Sequence, residues 1–346
     1  MKACVIHSKG DVRYEDIAEP QIREDVEVKV KILNGGICGS DQHYFLEGGI
    51  GSNIVLRESM VLGHEGCGIV EEVGAGVSDI KVGDMVVIRP ARPCFNCEYC
   101  QIKRFSFCLN MRHLGSAATF PHVQGLFAEK VVLHQAQCRV VHNMKPEVGA
   151  FGEPLGVAYN GVHGLGDIMG KNVLVMGAGP IGCLCAAAAK TLGADQVTVI
   201  DIRNQVLDVA KQMGADVVCN SLTHPEQIKE WSQNKGFFDC CIEASGNGKA
   251  ATQAMQMTRP EGAFSQVGMY GTGHQPTDLG AFAVKGLKWH AVFRFYEEFG
   301  PAVSALERGL IDPSPLLSAV YPASDIKKAM EAAISPDTMK VQVSFS

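Results

Sequence analysis

One stretch decides the fold of the middle of the chain: Asn172-Val173-Leu174-Val175-Met176-Gly177-Ala178-Gly179-Pro180-Ile181-Gly182. Five residues typical of a buried strand lead into the pattern Gly-x-Gly-x-x-Gly, and an alanine-rich predicted helix, residues 183–192, follows. Gly177 permits a tight turn, Gly179 lets a ligand approach the backbone, and Gly182 lets the helix pack on the sheet. Because a helix N-terminus presents free N–H groups, the stretch predicts a strand–turn–helix unit that holds a phosphate.

The sequence beyond this turn completes the pattern of a dinucleotide site. A second predicted strand, residues 196–200, ends in Asp201, about 20 residues after the glycines, where an acid contacts the adenosine ribose. Asp201 favours NAD because its carboxylate repels a 2′-phosphate, whereas Arg203 can soften that preference. A structural glycine turn is the alternative, but both strands, the helix and the acid are in place. We therefore predict that the turn, with Pro180 and Ile181, binds NAD, with NADP as the second choice.

The predicted elements divide the chain into three parts. Residues 1–148 contain short β-prone runs separated by glycines and charges, residues 149–286 alternate strands with amphipathic helices, and the remainder is mixed. Alternation of strand and helix is typical of a doubly wound parallel sheet. The last predicted strand, residues 341–345, can return to the first part. We therefore expect residues 1–148 and 287–346 to form one discontinuous domain around a Rossmann domain of residues 149–286.

Composition excludes several classes of function. Because 31 Lys and Arg residues stand against 37 Asp and Glu residues, the net charge is −6, and we predict no nucleic-acid partner. The N-terminus lacks the apolar run of a secretory signal, and the most apolar segment, residues 181–192, is too short to span a bilayer. We expect a cytoplasmic protein with no membrane partner. Its 13 cysteines then indicate metal binding or packing rather than disulfides.

Four cysteines lie close together in one segment, in the pattern Cys94-x2-Cys97-x2-Cys100-x7-Cys108. Four thiolates at this spacing suit a closed tetrahedral zinc, which is structural because no coordination position is left for a substrate. Chance clustering and an iron–sulfur cluster are the alternatives, although the spacing does not fit the common ferredoxin patterns. We therefore predict a structural zinc site.

A second possible metal site is spread along the chain. Cys38, the pair His64-Glu65, and Glu153 stand in separate segments flanked by glycine or proline. One thiolate, one imidazole and one or two carboxylates make an open zinc site, with a position left for water or a substrate oxygen. Spacing alone does not bring these residues together. A packed core cysteine is the alternative for Cys38, and a helix cap is the alternative for Glu153.

Taken together, these motifs resemble those of the zinc-containing medium-chain alcohol and polyol dehydrogenases. The matching pieces span essentially the whole chain and are residues 36–41, 63–65, the four-cysteine segment, 153–155 and 177–182. The resemblance implies a GroES-like, β-rich catalytic domain built from both chain ends, with a Rossmann domain inserted between them. It also implies two zinc ions per chain, one catalytic and one structural, and transfer of a hydride between a secondary alcohol carbon and NAD(P).

The resemblance assigns the open metal site to particular residues. Cys38, His64 and Glu153 are expected to face the catalytic zinc, as in the sorbitol dehydrogenase branch of the family, and Glu153 then also borders the substrate. Glu65 is expected either to ligate the zinc directly or to sit close behind and exchange with water.

Three residues near Cys38 stand at positions that the resemblance makes functional. Ser40 and His43 occupy the offsets of a proton relay, although a surface histidine is the alternative for His43. Tyr44 is a candidate substrate contact, and packing in the core is its alternative.

Further stretches resemble a sugar-acid subgroup of that branch, which oxidises C5 of L-idonate reversibly to 5-keto-D-gluconate. They are residues 35–41, 43–44, 60–65, 115–117 with 121–122, and 316–319 with 321–322. Phe293-Arg294-Phe295 keeps an arginine but lacks the tyrosine hydroxyl of sorbitol dehydrogenases, which weakens the case for a neutral polyol. Val206 stands where that branch has an arginine near the cofactor ribose, so strict NAD preference is in doubt.

A sugar acid carries a carboxylate, which requires a cation. Arg294 is the first candidate because a guanidinium can make two parallel hydrogen bonds to a carboxylate. The weaker candidates are Arg112, His113 and His122, and Arg112 has a solvated surface role as its alternative. The segments Val267-Gly268-Met269 and Val292-Phe293-Arg294 resemble those that close over the nicotinamide end of the cofactor.

Three functions are compatible with these observations. The first is a sugar-acid dehydrogenase, and the second is a polyol dehydrogenase that acts on sorbitol, xylitol or galactitol. The third is a non-catalytic NAD-binding protein with a structural or regulatory role, which the complete set of metal ligands disfavours. The sorbitol branch also implies a homodimer or homotetramer joined through the edges of the Rossmann sheets.

Overall fold

The computed structural model describes residues 1–270 and 276–345. Within them the strands are β1 (Lys2–Ser8), β2 (Asp11–Asp16), β3 (Glu27–Gly36), β4 (Gly49–Ile50), β5 (Ile54–Val55), β6 (Met60–Val61), β7 (Glu65–Val73), β8 (Met85–Ile88), β9 (Ala91–Arg92), β10 (Arg112–His113), β11 (Lys130–His134), β12 (Cys138–Val141), β13 (Asn172–Met176), β14 (Gln196–Asp201), β15 (Val217–Asn220), β16 (Phe238–Glu243), β17 (Thr258–Gln266), β18 (Lys288–Ala291), β19 (Leu317–Pro322) and β20 (Lys340–Ser344).

The α-helices of the same residues are α1 (Gly39–Glu47), α2 (Glu98–Gln101), α3 (Pro146–Gly149), α4 (Gly152–His163), α5 (Pro180–Thr191), α6 (Asn204–Gln212), α7 (Pro225–Trp231), α8 (Gly248–Met257), α9 (Leu279–Lys285), α10 (Phe299–Glu307) and α11 (Ile326–Ile334). Short 3-10 helices lie at Phe105–Phe107, Gln135–Gln137, Gln233–Lys235, Ser314–Leu316 and Ala323–Asp325. No helix in the described part of the chain has both the length and the hydropathy needed to cross a membrane.

The chain divides into two compact units. Unit 1 comprises Met1–Glu153, Phe299–Arg308 and Leu317–Ser346, and unit 2 comprises Pro154–Glu298 and Gly309–Leu316. These boundaries differ from the predicted ones at residues 148/149 and 286/287, and residues 309–316, predicted in the first domain, lie in unit 2. The predicted boundary at 286/287 lies too early, because β18 pairs in parallel with β17. Residues just after 286 therefore complete the sheet of unit 2 and do not return to unit 1.

Unit 2 contains a six-stranded sheet in the order β15-β14-β13-β16-β17-β18, with every pair parallel. This is the strand order of the Rossmann fold, as the sequence predicts. Val173, Leu174 and Val175 of β13 are completely buried because helices cover both faces of such a sheet. The strand order reverses between β13 and β14 on one side and β16 on the other, and ligands of this fold bind at the carboxyl ends of those strands.

The helix after the glycine turn begins three residues before the start predicted from the sequence, at Pro180 instead of Cys183. α5 begins at Pro180, whose missing N–H and fixed φ suit the first turn of a helix, and Gly179 is its N-cap. Its alanines have high helix propensity, and Ala186, Ala188 and Ala189 are fully buried against the sheet.

Unit 1 is built around a seven-stranded sheet. Its order is β12-β8-β7-β3-β20-β19, with β11 also paired to β3, and β2-β1-β6 form a smaller sheet. Val28, Val30 and Ile32 alternate along β3 and are all fully buried because alternate side chains of a strand share one face. β20 pairs antiparallel with β3, Gln342 opposite Gly36, so the last strand does return to the first part of the chain.

Candidate functional site

The first candidate metal centre forms beyond the ends of two paired strands. β3 and β7 run antiparallel with Gly36 opposite Glu65, which places Cys38, just after β3, beside His64, just before β7. Ligand atoms of Cys38, His64 and Glu65 lie within 4.8 Å of one another. A thiolate, an imidazole and a carboxylate form a donor set that suits zinc. The structure thus brings together three of the four residues that the sequence nominated.

A buried aspartate organises this centre, and the sequence analysis gave it no role. Asp41 is fully buried, and its carboxylate accepts hydrogen bonds from the N–H groups of Cys38 at 3.0 Å and Gly63 at 3.3 Å. Its Oδ1 lies 3.9 Å from Nδ1 of His64, which has no hydrogen-bond partner among the described residues. Its position three residues after Cys38 in the first turn of α1 was the available signal.

The charges around His64 favour a cation at this place. Burial by itself lowers the pKa of His64, but the charges of Asp41 and Cys38 outweigh burial and raise that pKa well above its ordinary value. A site that is both buried and surrounded by anionic groups suits a divalent metal ion. The residues present therefore fit a zinc ion.

Lys340 is a second residue that the sequence analysis missed. Its ammonium donates to both carboxylate oxygens of Glu65, each at 2.8 Å, and to the carbonyl of Ile37 at 3.1 Å. Lys340 is 6% exposed and Glu65 is 1% exposed, so this is a buried ion pair. No local sequence pattern predicts this ion pair, because the two residues are 275 positions apart. Both oxygens of Glu65 are consequently engaged by a cation of the protein.

Glu153 lies near the same centre but outside the group of three within 4.8 Å. It is the second residue of α4, not its cap, and it is 7% exposed. Burial raises the pKa of its carboxyl to about 7, with a lowering by His64 and a further raising by Glu65. The carboxyl of Glu153 is therefore within electrostatic range of His64 and Glu65.

The second candidate metal centre is the four-cysteine segment. The Sγ–Sγ distances are 3.4 Å for Cys94–Cys108, 3.5 Å for Cys97–Cys100, 3.9 Å for Cys97–Cys108 and 4.0 Å for Cys94–Cys100. A tetrahedral zinc with Zn–S bonds of about 2.3 Å requires sulfurs about 3.8 Å apart. A backbone N–H of Asn96 lowers the pKa of Cys94 to about 6, which favours a thiolate there. The geometry thus fits a closed zinc site and no disulfide is formed between these four cysteines.

The residues of α1 that are predicted to relay a proton or to contact the substrate differ in solvent exposure and in their contacts. Ser40 is half-buried, whereas His43 is exposed and its Nδ1 lies 3.1 Å from Glu47. That exposure suits the solvent end of a relay and also the surface alternative. Tyr44 is 1% exposed, and its hydroxyl accepts a hydrogen bond from Ala117 N–H at 2.9 Å. The described contacts of Tyr44 are therefore those of its packing alternative.

The three weaker candidates for binding a substrate carboxylate differ in their burial and their contacts. His122 is buried, with Nδ1 2.8 Å from the carbonyl of Thr119 and Nε2 2.9 Å from the N–H of Arg57. One ring nitrogen faces the carbonyl of Thr119 and the other accepts from the N–H of Arg57, so His122 ties two loops together. The ring of His113 lies 5.5 Å from that of His64, while Arg112 is exposed. Of the three, only His113 packs against the candidate centre.

The glycine turn of unit 2 has the geometry that its sequence predicts. Gly177 has φ +98°, and a Cβ there would lie 2.9 Å from the backbone nitrogen of Ser245. A Cβ on Gly182 would collide with the carbonyl of Gly177. Asp201 accepts hydrogen bonds from the N–H groups of Ala178 at 2.8 Å and Arg203 at 3.0 Å. The acid at the end of β14 thus holds the turn directly.

The segments predicted to meet the nicotinamide are held by backbone contacts within unit 2. The N–H groups of Val267 and Gly268 each donate to the carbonyl of Glu243 at 2.8 Å, and Val292 N–H donates to Gln266 at 2.9 Å. Met269 is 79% exposed, and Phe293 is half exposed.

Arg294 adopts a left-handed conformation with φ +58°, which is uncommon for a residue with a side chain. Its carbonyl accepts a hydrogen bond from the amide of Asn160 at 2.6 Å, which holds this backbone in place. Its guanidinium lies 5.0 Å from the ring centroid of Phe293.

Comparison with known proteins identifies the architecture. A model of the alcohol dehydrogenase GroES-like domain matches residues 24–143, and one of the zinc-binding dehydrogenases matches residues 180–308. A pyridine nucleotide-disulphide oxidoreductase model also matches residues 114–226, which include the glycine turn. L-idonate 5-dehydrogenase (NAD(P)(+)) of Escherichia coli (strain K12) is 40% identical over 319 residues, 91% of each chain. The chain belongs to the zinc-binding medium-chain dehydrogenases.

Other members of this family match the chain over nearly its whole length. Sorbitol dehydrogenase of Bacillus subtilis (strain 168) is 31% identical over 99% of this chain and 97% of its own. The crystal structure of L-idonate 5-dehydrogenase from Escherichia coli has a TM-score of 0.93 at 37% identity and covers 99% of this chain and 98% of its own. Alcohol dehydrogenase TADH from Thermus sp. ATN1 has a TM-score of 0.90 at 27% identity, with 99% of both chains covered. The protein is a zinc-dependent dehydrogenase, and the predicted fold is confirmed.

Proposed function

We propose that this dehydrogenase oxidises a secondary hydroxyl of a sugar acid with NAD or NADP, and that its substrate is L-idonate, converted reversibly to 5-keto-D-gluconate. The observation that carries the proposal is the 40% identity to L-idonate 5-dehydrogenase (NAD(P)(+)) over 91% of both chains. The sequence stretches that resemble the sugar-acid subgroup lie outside the motifs shared by the whole family, which supports the same choice.

We assign the catalytic zinc to Cys38, His64 and Glu153. Zinc there supplies a Lewis acid that lowers the pKa of a hydroxyl group. Cys38 and His64 provide a thiolate and an imidazole that Asp41 holds in position through the backbone of both loops. Glu65 lies closer to them than Glu153 does, but Lys340 engages both of its oxygens. We therefore propose Glu153 as the third ligand and Glu65 as the carboxylate that sits behind and exchanges with water.

Oxidation of an alcohol releases one proton besides the hydride. Ser40 is half-buried and His43 is exposed to solvent on the same helix. We propose that Ser40 receives this proton and that His43 passes it to water, with the Glu47 carboxylate beside it at 3.1 Å. General acid–base residues of this kind have to reach solvent to complete a turnover.

We propose NAD as the preferred cofactor and NADP as an accepted one. Asp201 favours unmodified ribose, but its carboxylate already accepts hydrogen bonds from Ala178 and Arg203 N–H, and the Nε of Arg203 lies 3.6 Å from it. The Arg203 side chain therefore places a cation beside the acid that would repel a 2′-phosphate. The glycine turn, the 267–269 segment and the 292–294 segment complete the proposed cofactor contacts.

Arg294 is the proposed partner of the substrate carboxylate. Its backbone is held by Asn160, and the neighbouring Phe295 is 3% exposed and packs against Gly156. A phenylalanine buried in this way offers no hydroxyl to a neutral polyol. An arginine that is kept without the neighbouring phenol hydroxyl supports a charged substrate over sorbitol.

A polyol dehydrogenase is the second candidate, because sorbitol dehydrogenase of Bacillus subtilis matches 99% of the chain at 31% identity. We further propose a cytoplasmic homodimer or homotetramer joined through β18, the edge strand of the described sheet in unit 2, where Trp289 is 39% exposed.

A substrate panel tests the proposal. Zinc-loaded enzyme is offered L-idonate, D-gluconate, sorbitol, xylitol and galactitol, first with NAD and then with NADP, and formation of the reduced cofactor is followed by absorbance. We expect kcat/KM for L-idonate to exceed that for every polyol by tenfold or more. A higher kcat/KM for sorbitol than for L-idonate would establish the second candidate instead.

A further inference from the structure

Glu243 is a completely buried carboxylate that the proposed chemistry does not use. It is the last residue of β16, at the carboxyl edge of the parallel sheet in unit 2. A buried carboxylate is strongly destabilising unless hydrogen bonds replace its water shell. The groups that donate to Glu243 therefore show which parts of the chain it holds in place.

The side chain of Glu243 binds the loop after β16 and the last residue of β17. Its Oε1 accepts hydrogen bonds from the N–H of Ser245 at 2.8 Å and from the Ser245 hydroxyl. Its Oε2 accepts from the side-chain amide of Gln266 at 2.6 Å and from the N–H of Gly246 at 3.2 Å. Four donors thus converge on one carboxylate, three from the loop after β16 and one from Gln266 at the end of β17.

The backbone of Glu243 and its partner Gln266 extend this connection. The carbonyl of Glu243 accepts from the N–H groups of Val267 and Gly268, and Gln266 donates to the carbonyl of Gly268 at 2.7 Å. The hydroxyl of Tyr270 donates to Gln266 at 3.0 Å. A Cβ on Gly268 would lie 2.7 Å from Oε2 of Glu243, so the loop after β17 packs closely against the carboxylate.

These loops adjoin the glycine turn. A Cβ on Gly177 would lie 2.9 Å from the backbone nitrogen of Ser245, so the turn that would hold the pyrophosphate packs on the loop that Glu243 holds. Ligands of a Rossmann sheet bind at the carboxyl ends of these strands. The turn and both loops therefore border one binding edge.

We infer that Glu243 is a positioning residue for the nicotinamide cofactor: its carboxylate holds residues 245–246 directly and Gly268 through the side chain of Gln266, so that both loops are ordered before the cofactor arrives. The inference rests on the proposed use of NAD(H) by this site. Its physical basis is preorganisation, because loops that are already ordered lose little conformational entropy on binding. Without the carboxylate, the donors of Ser245, Gly246 and Gln266 lose their common acceptor, and cofactor binding must order the loops.

The test uses Glu243→Gln in the full-length, zinc-loaded enzyme. Glutamine keeps the shape but replaces one acceptor oxygen by an NH2 group, which opposes an existing donor. We expect the Kd for NADH, measured by fluorescence titration, to rise about tenfold. We also expect the amides of residues 245–246 and 267–268 to exchange hydrogen faster than in the parent without any cofactor. Zinc content and the KM for substrate at saturating cofactor should stay at the parental values.

Two further variants keep the inference falsifiable. Glu226→Gln removes an exposed carboxylate of the same unit and should leave the Kd and the exchange rates unchanged. Ser245→Ala removes two hydroxyl-dependent contacts at most while keeping the Glu243 charge, and should raise the Kd about threefold even if Glu243→Gln does not fold.

Parental NADH affinity in Ser245→Ala, together with parental exchange rates in the two loops, would overturn the inference. Equal acceleration of exchange throughout unit 2 would overturn it as well, because that pattern marks a merely structural role. Failure of the parent enzyme to bind NADH would instead reject the proposed cofactor, while the exchange measurement would still report on Glu243.

Discussion

Glu65 and Glu153 are the two candidates for the carboxylate ligand of the proposed catalytic zinc. Glu65 lies within 4.8 Å of the ligand atoms of Cys38 and His64, but Lys340 donates to both of its oxygens. Glu153 is farther away, and burial raises the pKa of its carboxyl. A metal ion would favour the ionised form of a nearby carboxyl, so the protonated fraction of Glu153 would fall on binding.

Glu153→Ala separates these assignments. If Glu153 is the third ligand, the variant should lose more than about a thousandfold in kcat, because the zinc is no longer held in an open, correctly oriented site. NADH affinity, measured by fluorescence titration, should stay at the parental value. Glu331→Ala, an exposed change in unit 1, is the matched control. Simultaneous loss of NADH binding would argue that Glu153 supports the structure rather than the metal.

Arg203 is predicted to set how well NADP is accepted. Arg203→Ala should lower kcat/KM for NADP about tenfold, equivalent to ~1.4 kcal/mol, because Asp201 then faces the 2′-phosphate without a neighbouring cation. The value for NAD should change less than twofold. Arg259→Ala breaks another Arg–Asp pair of unit 2, at 2.6 Å to Asp239, and serves as control. Equal losses with both cofactors would show that Arg203 does not discriminate between them.

At the scale of elements, the four-cysteine segment is a local structure that a metal would hold together. α2 has four residues and the 3-10 helix Phe105–Phe107 has three, and neither is long enough to be stable alone. Phe95 and Lys103 have positive φ values of 60° and 59°, so the backbone is bent into uncommon conformations. Four Sγ–metal bonds would supply the stability that these short elements lack.

Cys97→Ser should therefore remove one zinc ion per chain and destabilise unit 1. We expect bound zinc, measured by mass spectrometry, to fall from two ions to one, and the free energy of unfolding to fall by about 4 kcal/mol. Cys138→Ala, a cysteine outside the cluster, should keep both ions. Retention of two ions and of the parental melting temperature in Cys97→Ser would contradict a structural zinc.

At the scale of the whole molecule, a buried ion pair joins the C-terminal strand to the candidate metal centre. Lys340 lies in β20, and β20 pairs with β3, whose end leads directly to Cys38. Removing one partner of a buried pair leaves the other charge without compensation, which destabilises a protein by about 3–5 kcal/mol. Lys340→Met is thus expected to lower the free energy of unfolding by that amount in urea denaturation.

The exposed pair Lys2–Asp16 provides the comparison for this prediction. Its distance is 2.7 Å, similar to that of Lys340–Glu65, but its side chains are 41% and 78% exposed. Lys2→Met should therefore change stability by less than about 1 kcal/mol, because water screens such pairs. If Lys340→Met is as stable as Lys2→Met, Glu65 is not held by Lys340 in solution.

Local sequence patterns predict the structure correctly wherever the interacting groups are neighbours in sequence. The glycine turn, the acid at the end of β14 and the four cysteines each act over a few residues or one strand–helix unit, so their spacing predicts their geometry. The Rossmann fold and the geometry of the four-cysteine segment could be predicted for that reason.

The sequence by itself thus determined the family, the fold class and the residue types that can bind zinc and a dinucleotide. Only the tertiary structure decided how Asp41 meets His64, how Lys340 reaches Glu65, and how Glu243 ties two loops together. It also assigned β18 to unit 2 and buried Tyr44 in the core. The physical reason is that a side chain's partners depend on which strands pair and in which register, and pairing between distant strands leaves no local pattern.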